Sequence, residues 1–94
     1  MFIDILWAKR KEDVYRNFDL RAGDKVIFAK QDIFEVGPIS AVVVGEYPYI
    51  ISIRVTFEDT YHPGKTNSYI VNINKCSLFL GELLLQREDG SFVI

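Results

Sequence analysis

From Ile50 to Glu58 apolar and polar residues alternate strictly: Ile51, Ile53, Val55 and Phe57 fall on one side, Ser52, Arg54, Thr56 and Glu58 on the other. A period of two is the mark of a strand with one dry and one wet face, because successive side chains of an extended chain point to opposite sides. Wound into a helix, the same four apolar residues would spread around the whole circumference. Upstream, residues 39–45 include Ala41, Val42, Val43 and Val44 and have no polar side, which suits a strand covered on both faces. Gly45-Glu46-Tyr47-Pro48-Tyr49 reads as the turn between these strands. A longer turn, Asp59-Thr60-Tyr61-His62-Pro63-Gly64-Lys65, follows. Tyr69, Val71 and Ile73 then alternate with Ser68, Ile70 and Asn72, giving a third strand and an antiparallel meander.

Outside the meander the pattern is shorter-ranged. Leu20-Arg21-Ala22-Gly23-Asp24 predicts a turn that opens a strand over Lys25-Val26-Ile27-Phe28-Ala29. Residues 31–38 predict a loop with a bulge at Val36-Gly37-Pro38. Apolar runs at 82–87 and 91–94 flank Glu88-Asp89-Gly90. Asp-Gly between such runs predicts a hairpin, since its tight turn needs positive φ at both central residues. Phe92-Val93-Ile94 carries no side-chain charge, so it is expected to pair with a strand of its own chain or of a second copy. The first eighteen residues admit two readings. Phe2, Ile3, Ile5, Leu6 and Trp7 suit a buried strand, with Val14, Arg16 and Phe18 facing one way on a partner. Ile3, Trp7, Val14 and Phe18 also share a helical face, which Arg10 and Lys11 interrupt.

Ninety-four residues fit one domain, 1–94, with a single core that needs no disulfide or metal. The 14% aromatic content leans the balance toward sheet. Cys76 is the only cysteine, which excludes an internal disulfide and suits a reducing cytoplasm. The opening apolar stretch is broken by Asp4 and runs into Lys9-Arg10-Lys11, unlike a signal peptide, and no apolar run is long enough for a membrane span. The formal charge of −2 argues against a general nucleic-acid binder, although residues 1–30 hold seven Lys/Arg against five Asp/Glu.

Residues Leu20 to Phe28, with the Gly23-Asp24 turn before the strand and the meander after it, resemble an SH3-like small barrel, over roughly Leu20 to Leu85. The resemblance implies an all-β fold: a small antiparallel barrel or strongly curled sheet, here with an N-terminal strand pair or short helix added. The ribosome- and transcription-associated KOW type would need a further glycine-centred turn, which Val36-Gly37-Pro38-Ile39 fills only in part. The peptide-binding signalling type would need clustered aromatics around residues 29–32, where this chain has none. The likeness therefore speaks to fold and leaves function open.

Candidate chemistry is sparse. His62 is the only histidine and lies in a Pro-Gly turn, far along the chain from Cys76, so no nucleophile-base constellation is legible and no enzyme is expected. Glu58, Asp59 and His62 are too few for a structural zinc site, and no glycine-rich phosphate loop is present, so neither metal nor cofactor is expected. Two contact surfaces remain. In an up-and-down arrangement the basic cluster Lys9, Arg10 and Lys11 falls at the same end as Tyr61 and His62. Tyr47 and Tyr49 lie at the opposite end, about 30 Å away along a nine-residue strand. The expected function is a non-catalytic module that binds a protein through loop ends or an edge strand. The alternatives are a structural subunit of a larger viral or cellular assembly, including a homo-oligomer joined by edge strands, and a nucleic-acid-binding accessory domain.

Overall fold

The computed structural model describes residues 11–29 and 37–93. Its strands form two antiparallel sheets. The larger is a meander of β2 (Ser40–Glu46), β3 (Ile50–Glu58) and β4 (Thr66–Asn74) in the order β2-β3-β4. The smaller pairs β1 (Val26–Phe28) with β5 (Leu85–Arg87). A five-residue helix, α1 (Lys75–Phe79), follows β4 directly. The protein is thus a small all-β domain with only short helices. Among the described residues the sheets do not close into a barrel. A single bridge, Lys25 to Val42, joins them where β1 passes β2.

The meander follows the alternating pattern. Ile51, Ile53 and Val55 of β3 are wholly buried, and the register sets Val43, Ile53 and Val71 in one cross-strand row and Ala41, Val55 and Tyr69 in the next. Phe18, Leu20, Val26, Phe28, Leu78, Leu83, Leu85 and Val93 complete the same cluster from the other elements. Burial of β-branched side chains between facing sheets is the main stabilising contribution, about 1.5–3 kcal/mol for each fully covered residue.

Several expectations need correction. Phe57 is only half-buried, because the core ends before the far end of β3. Ser52, assigned to the wet face, is buried and its hydroxyl donates to Asn72 Oδ1 at 2.6 Å. β2 is not covered on both faces: Ala41 and Val43 are buried, but Val42 and Val44 only half so. Glu46 ends β2 and does not belong to the turn. The pairing slips between Val43 and Gly45, so the bulge lies there. Gly37 and Pro38 form no strand, and Val36 lies outside the described residues.

At the N-terminal side, residues 11–14 are helical and 15–20 pair with no strand, which removes the predicted partner strand. The residues upstream of 11 lie outside the description. Val14 and Phe18 are buried while Arg16 between them is exposed, as a helical turn running into an irregular segment allows. The Asp89-Gly90 hairpin is present: Gly90 N–H donates to Arg87 O, Arg87 N–H to Ser91 O and Val93 N–H to Leu85 O. Only Gly90 takes positive φ, +91°, while Asp89 does not, so the loop Glu88-Asp89-Gly90 closes as a three-residue turn with a left-handed glycine in place of the expected turn with positive φ at both Asp89 and Gly90.

Candidate functional site

A polar constellation is buried between the irregular segment 16–20 and the end of the meander. Glu46 and Lys75 form an ion pair, Nζ to Oε2 at 2.7 Å, with 6% and 2% of their side chains exposed. Asp19 adopts φ +57°, so the amides on either side of it converge on this carboxylate: Phe18 N–H donates to Oε2 at 2.8 Å and Leu20 N–H to Oε1 at 3.0 Å. Alternate amides turned to one side by a left-handed residue make a small anion-binding nest. Lys75 Nζ also donates to Arg16 O and stands 5.4 Å from the Phe18 ring centre. Burial pushes the Glu46 carboxyl up, but the Lys75 hydrogen bond, the two amides and the Lys75 charge outweigh it and hold the group below the ordinary carboxylate range. Among the described residues no buried side-chain nitrogen or oxygen lacks a hydrogen-bond partner, and this network fastens segment 16–20 to the sheet.

The turn after β3 is organised by Asp59. Its carboxylate accepts from Tyr61 N–H at 2.9 Å and from Asn67 Nδ2 at 3.4 Å, with His62 Nδ1 at 3.5 Å from Oδ2. The Tyr61 amide chiefly, opposed by desolvation and helped by Asn67 and His62, lowers its pKa. Tyr61 is 88% exposed and His62 mostly so. Among the described residues no three His, Cys, Asp or Glu side chains gather as a metal site would need. Cys76, half-buried in α1, lies at the other end of β4 from His62.

Of the basic cluster, Lys11 is the one described residue, and it does not lie at this turn. Tyr15 meets Tyr49 edge to face, ring centres 5.0 Å apart, and Tyr15 N–H donates to Lys11 O. Lys11 therefore sits one helical turn from the β2–β3 turn, at the opposite end of β3 from Tyr61 and His62. For Lys11 the expected convergence with Tyr61 and His62 is not found, because residues 11–14 take the helical alternative and not the strand. Lys9 and Arg10 lie outside the described residues. Tyr47 and Tyr49 are both exposed. Tyr47 folds over Gly45, where an added Cβ would meet its hydroxyl at 3.1 Å. Tyr15, Tyr47 and Tyr49 thus make one aromatic end, and Tyr15 is the member that sequence reasoning missed.

The two edges of the meander differ. Along β2, Gly23 N–H donates to Val43 O, Val43 N–H donates to Asp24 O, and Lys25 bridges Val42. Along β4 no described residue pairs with the outer edge. That edge runs Thr66-Asn67-Ser68-Tyr69-Ile70-Val71-Asn72-Ile73-Asn74, nine residues with neither charge nor proline. Tyr69 and Ile70 are 59% and 51% exposed. A groove of about 440 Å³ lies between residues 71–74 of β4 and Ser77, Glu82 and Leu83. Proteins normally blunt an exposed edge with lysine, proline or a bulge, and β4 has none of these within its span.

Comparison with protein-family models, curated proteins and solved structures returned no match. Among the described residues no helix is long and apolar enough to cross a membrane.

Proposed function

We propose that this chain is a non-catalytic protein-interaction module of SH3-like type that accepts an extended segment of a protein partner along the β4 edge. The observation that carries the reading is that edge itself: nine residues long, uncharged, and unpaired among the described residues while the β2 edge is occupied. In strand addition, backbone hydrogen bonds supply affinity and alternate side-chain positions supply selectivity. The order of elements supports the SH3-like assignment: a first strand, a three-stranded meander, a short helix, and a last strand that pairs back on the first. The uncharged strand and the net charge of −2 favour a protein over nucleic acid. A single free thiol fits the cytoplasm, where it stays reduced.

The test is an NMR titration with a nine-residue peptide of alternating threonine and valine. Amide shifts and slowed hydrogen exchange confined to residues 66–74 and the adjoining 77–83 are expected. Shifts at Tyr15, Tyr47 and Tyr49 would move the contact surface to the aromatic end, which the edge-to-face ring pair favours as a second reading. Shifts at Tyr61 and His62 would move it to the other loop, and no binding at all would remove the strand-addition reading.

A further inference from the structure

We propose that the occupant of the β4 edge is the β4 strand of a second copy of this chain, paired antiparallel about a two-fold axis through Ile70. The proposal rests on the strand-addition reading above and names its partner.

Two copies of one strand placed antiparallel about a two-fold axis have a register fixed by the central residue, and every residue then faces its mirror position. Centred on Ile70, the pairs are Ile70 with Ile70, Tyr69 with Val71, Ser68 with Asn72, Asn67 with Ile73, and Thr66 with Asn74. Apolar meets apolar at the centre and polar meets polar at Ser68–Asn72 and Thr66–Asn74. Only Asn67–Ile73 is mixed. Centring on Tyr69 sets Ile70 against Ser68 and Val71 against Asn67. Centring on Val71 keeps Val71 on Val71 and Tyr69 on Ile73 but leaves the half-exposed Ile70 against Asn72, whereas the Ile70 centre leaves only Ile73, already buried within its own chain, against a polar residue. Self-pairing also places like charges in proximity whenever a strand carries them, and β4 carries none over its full length.

The two faces agree with this register. Ile70 stands opposite Arg54 on the outer face, where it is half exposed and its directly paired residue on β3 is charged. On the core face Tyr69 stands opposite Val55 and meets the half-buried Phe57 at 6.4 Å between ring centres. A two-fold mate would set its Val71 against Tyr69 and carry the core face across the interface. The six-stranded sheet so formed would cover the one long edge that the described residues leave open. A strand-to-strand contact of this size falls at the low end of specific interfaces, so the association is expected to be concentration-dependent rather than permanent.

Sedimentation equilibrium over a micromolar-to-millimolar series tests it. The wild-type chain is expected to rise from monomer to dimer mass, and Ile70→Lys, which sets two ammonium groups face to face, is expected to stay monomeric at every concentration with an unchanged circular dichroism spectrum. Register is read by cysteine pairing in a Cys76→Ser background, since directly opposed strand positions lie within disulfide reach. Ile70→Cys should cross-link with itself under mild oxidation. Ser68→Cys should not, but should cross-link when mixed with Asn72→Cys. The cysteine variants keep the question open to an answer if the lysine variant fails to fold. A wild type that is monomeric throughout and an Ile70→Cys chain that does not cross-link would overturn the proposal. If that monomer still binds the threonine-valine peptide at residues 66–74, strand addition stands and only the second copy falls. If it binds nothing, both fall.

Discussion

At the scale of single residues, the buried pair of Glu46 and Lys75 decides the most. Neither was legible as special: Glu46 stood in a turn-like Gly-Glu-Tyr-Pro stretch, and Lys75 followed a strand with no partner in reach along the chain. Their meeting depends on Asp19 turning two amides toward one carboxylate, a backbone event that no periodicity announces. Removing one partner of such a pair costs more than the pair contributes, because the other charge stays buried and uncompensated. Lys75→Met is therefore expected to lose about 3–5 kcal/mol at neutral pH, a large part of what a domain of this size has. The sign with pH follows from Glu46. Its folded pKa is lowered, so its contribution is complete above the unfolded value, near 4.3, and is lost as pH falls through the folded value. In Lys75→Met, burial without the ammonium pushes the carboxyl the other way, and protonation relieves it. The gap between wild type and variant should shrink steadily from pH 7 to pH 4 in urea melts. A gap that stays constant with pH would mean that Lys75 acts through packing alone.

At the scale of elements, alternation decided what could be read. The three strands of the meander, their turns and the Asp89-Gly90 hairpin carry patterns of period two or turn residues with a backbone reason, and each appears. Elements set by tertiary contacts were not readable. Helix α1 is five residues long, too short for a helical period, and its start rests on Asn74 accepting from Cys76 N–H. The helical turn at 11–14 offered only Val14 to the core. Its placement brings Tyr15 to Tyr49 and separates Lys11 from Tyr61 and His62. The open edge of β4 was legible only as uncharged alternation, since which edge stays free depends on what covers β2. Within β3 the depth of burial ranks the substitutions. Ile53→Ala should cost about 2–5 kcal/mol, because its site is closed on all sides. Phe57→Ala should cost less than Ile53→Ala, despite the larger group removed, because half its surface already meets solvent. Arg54→Ala should stay well under about 1 kcal/mol. Urea melts of the three variants check the order, and Phe57→Ala proving the costliest would place the core nearer the 59–65 turn.

At the scale of the whole molecule, the segment 91–93 after β5 is what ties the two sheets and the irregular segment together. Val93 is wholly buried in the common core, and its N–H donates to Leu85 O. Beside it, Arg87 donates from one guanidinium nitrogen to Phe92 O at 3.1 Å and from another to Phe18 O at 3.0 Å. Arg87 thus links the hairpin to the same segment, 16–20, that Glu46 and Lys75 fasten from the opposite side. Phe18 contributes its amide to one fastening and its carbonyl to the other, while its ring lies in the core. The β1–β5 sheet has only three residue pairs, too few to hold without the segment bridged to it at Gln86 and Phe92. Val93→Ala removes two buried methyl groups and is expected to cost about 1.5–3 kcal/mol. Deleting residues 92–94 removes that burial, one of the two Arg87 contacts and the outer partner of β5 together, so its cost should exceed that of Val93→Ala clearly. The loss should be felt first in the smaller sheet. Amide exchange at Val26–Phe28 and Leu85–Arg87 is expected to accelerate in the truncated chain before exchange in β3 does. A truncated chain with the melting temperature of the wild type would show that the hairpin is a passenger on the core. Uniform acceleration across both sheets would show that they unfold as one unit, with the C-terminal segment contributing to all of it.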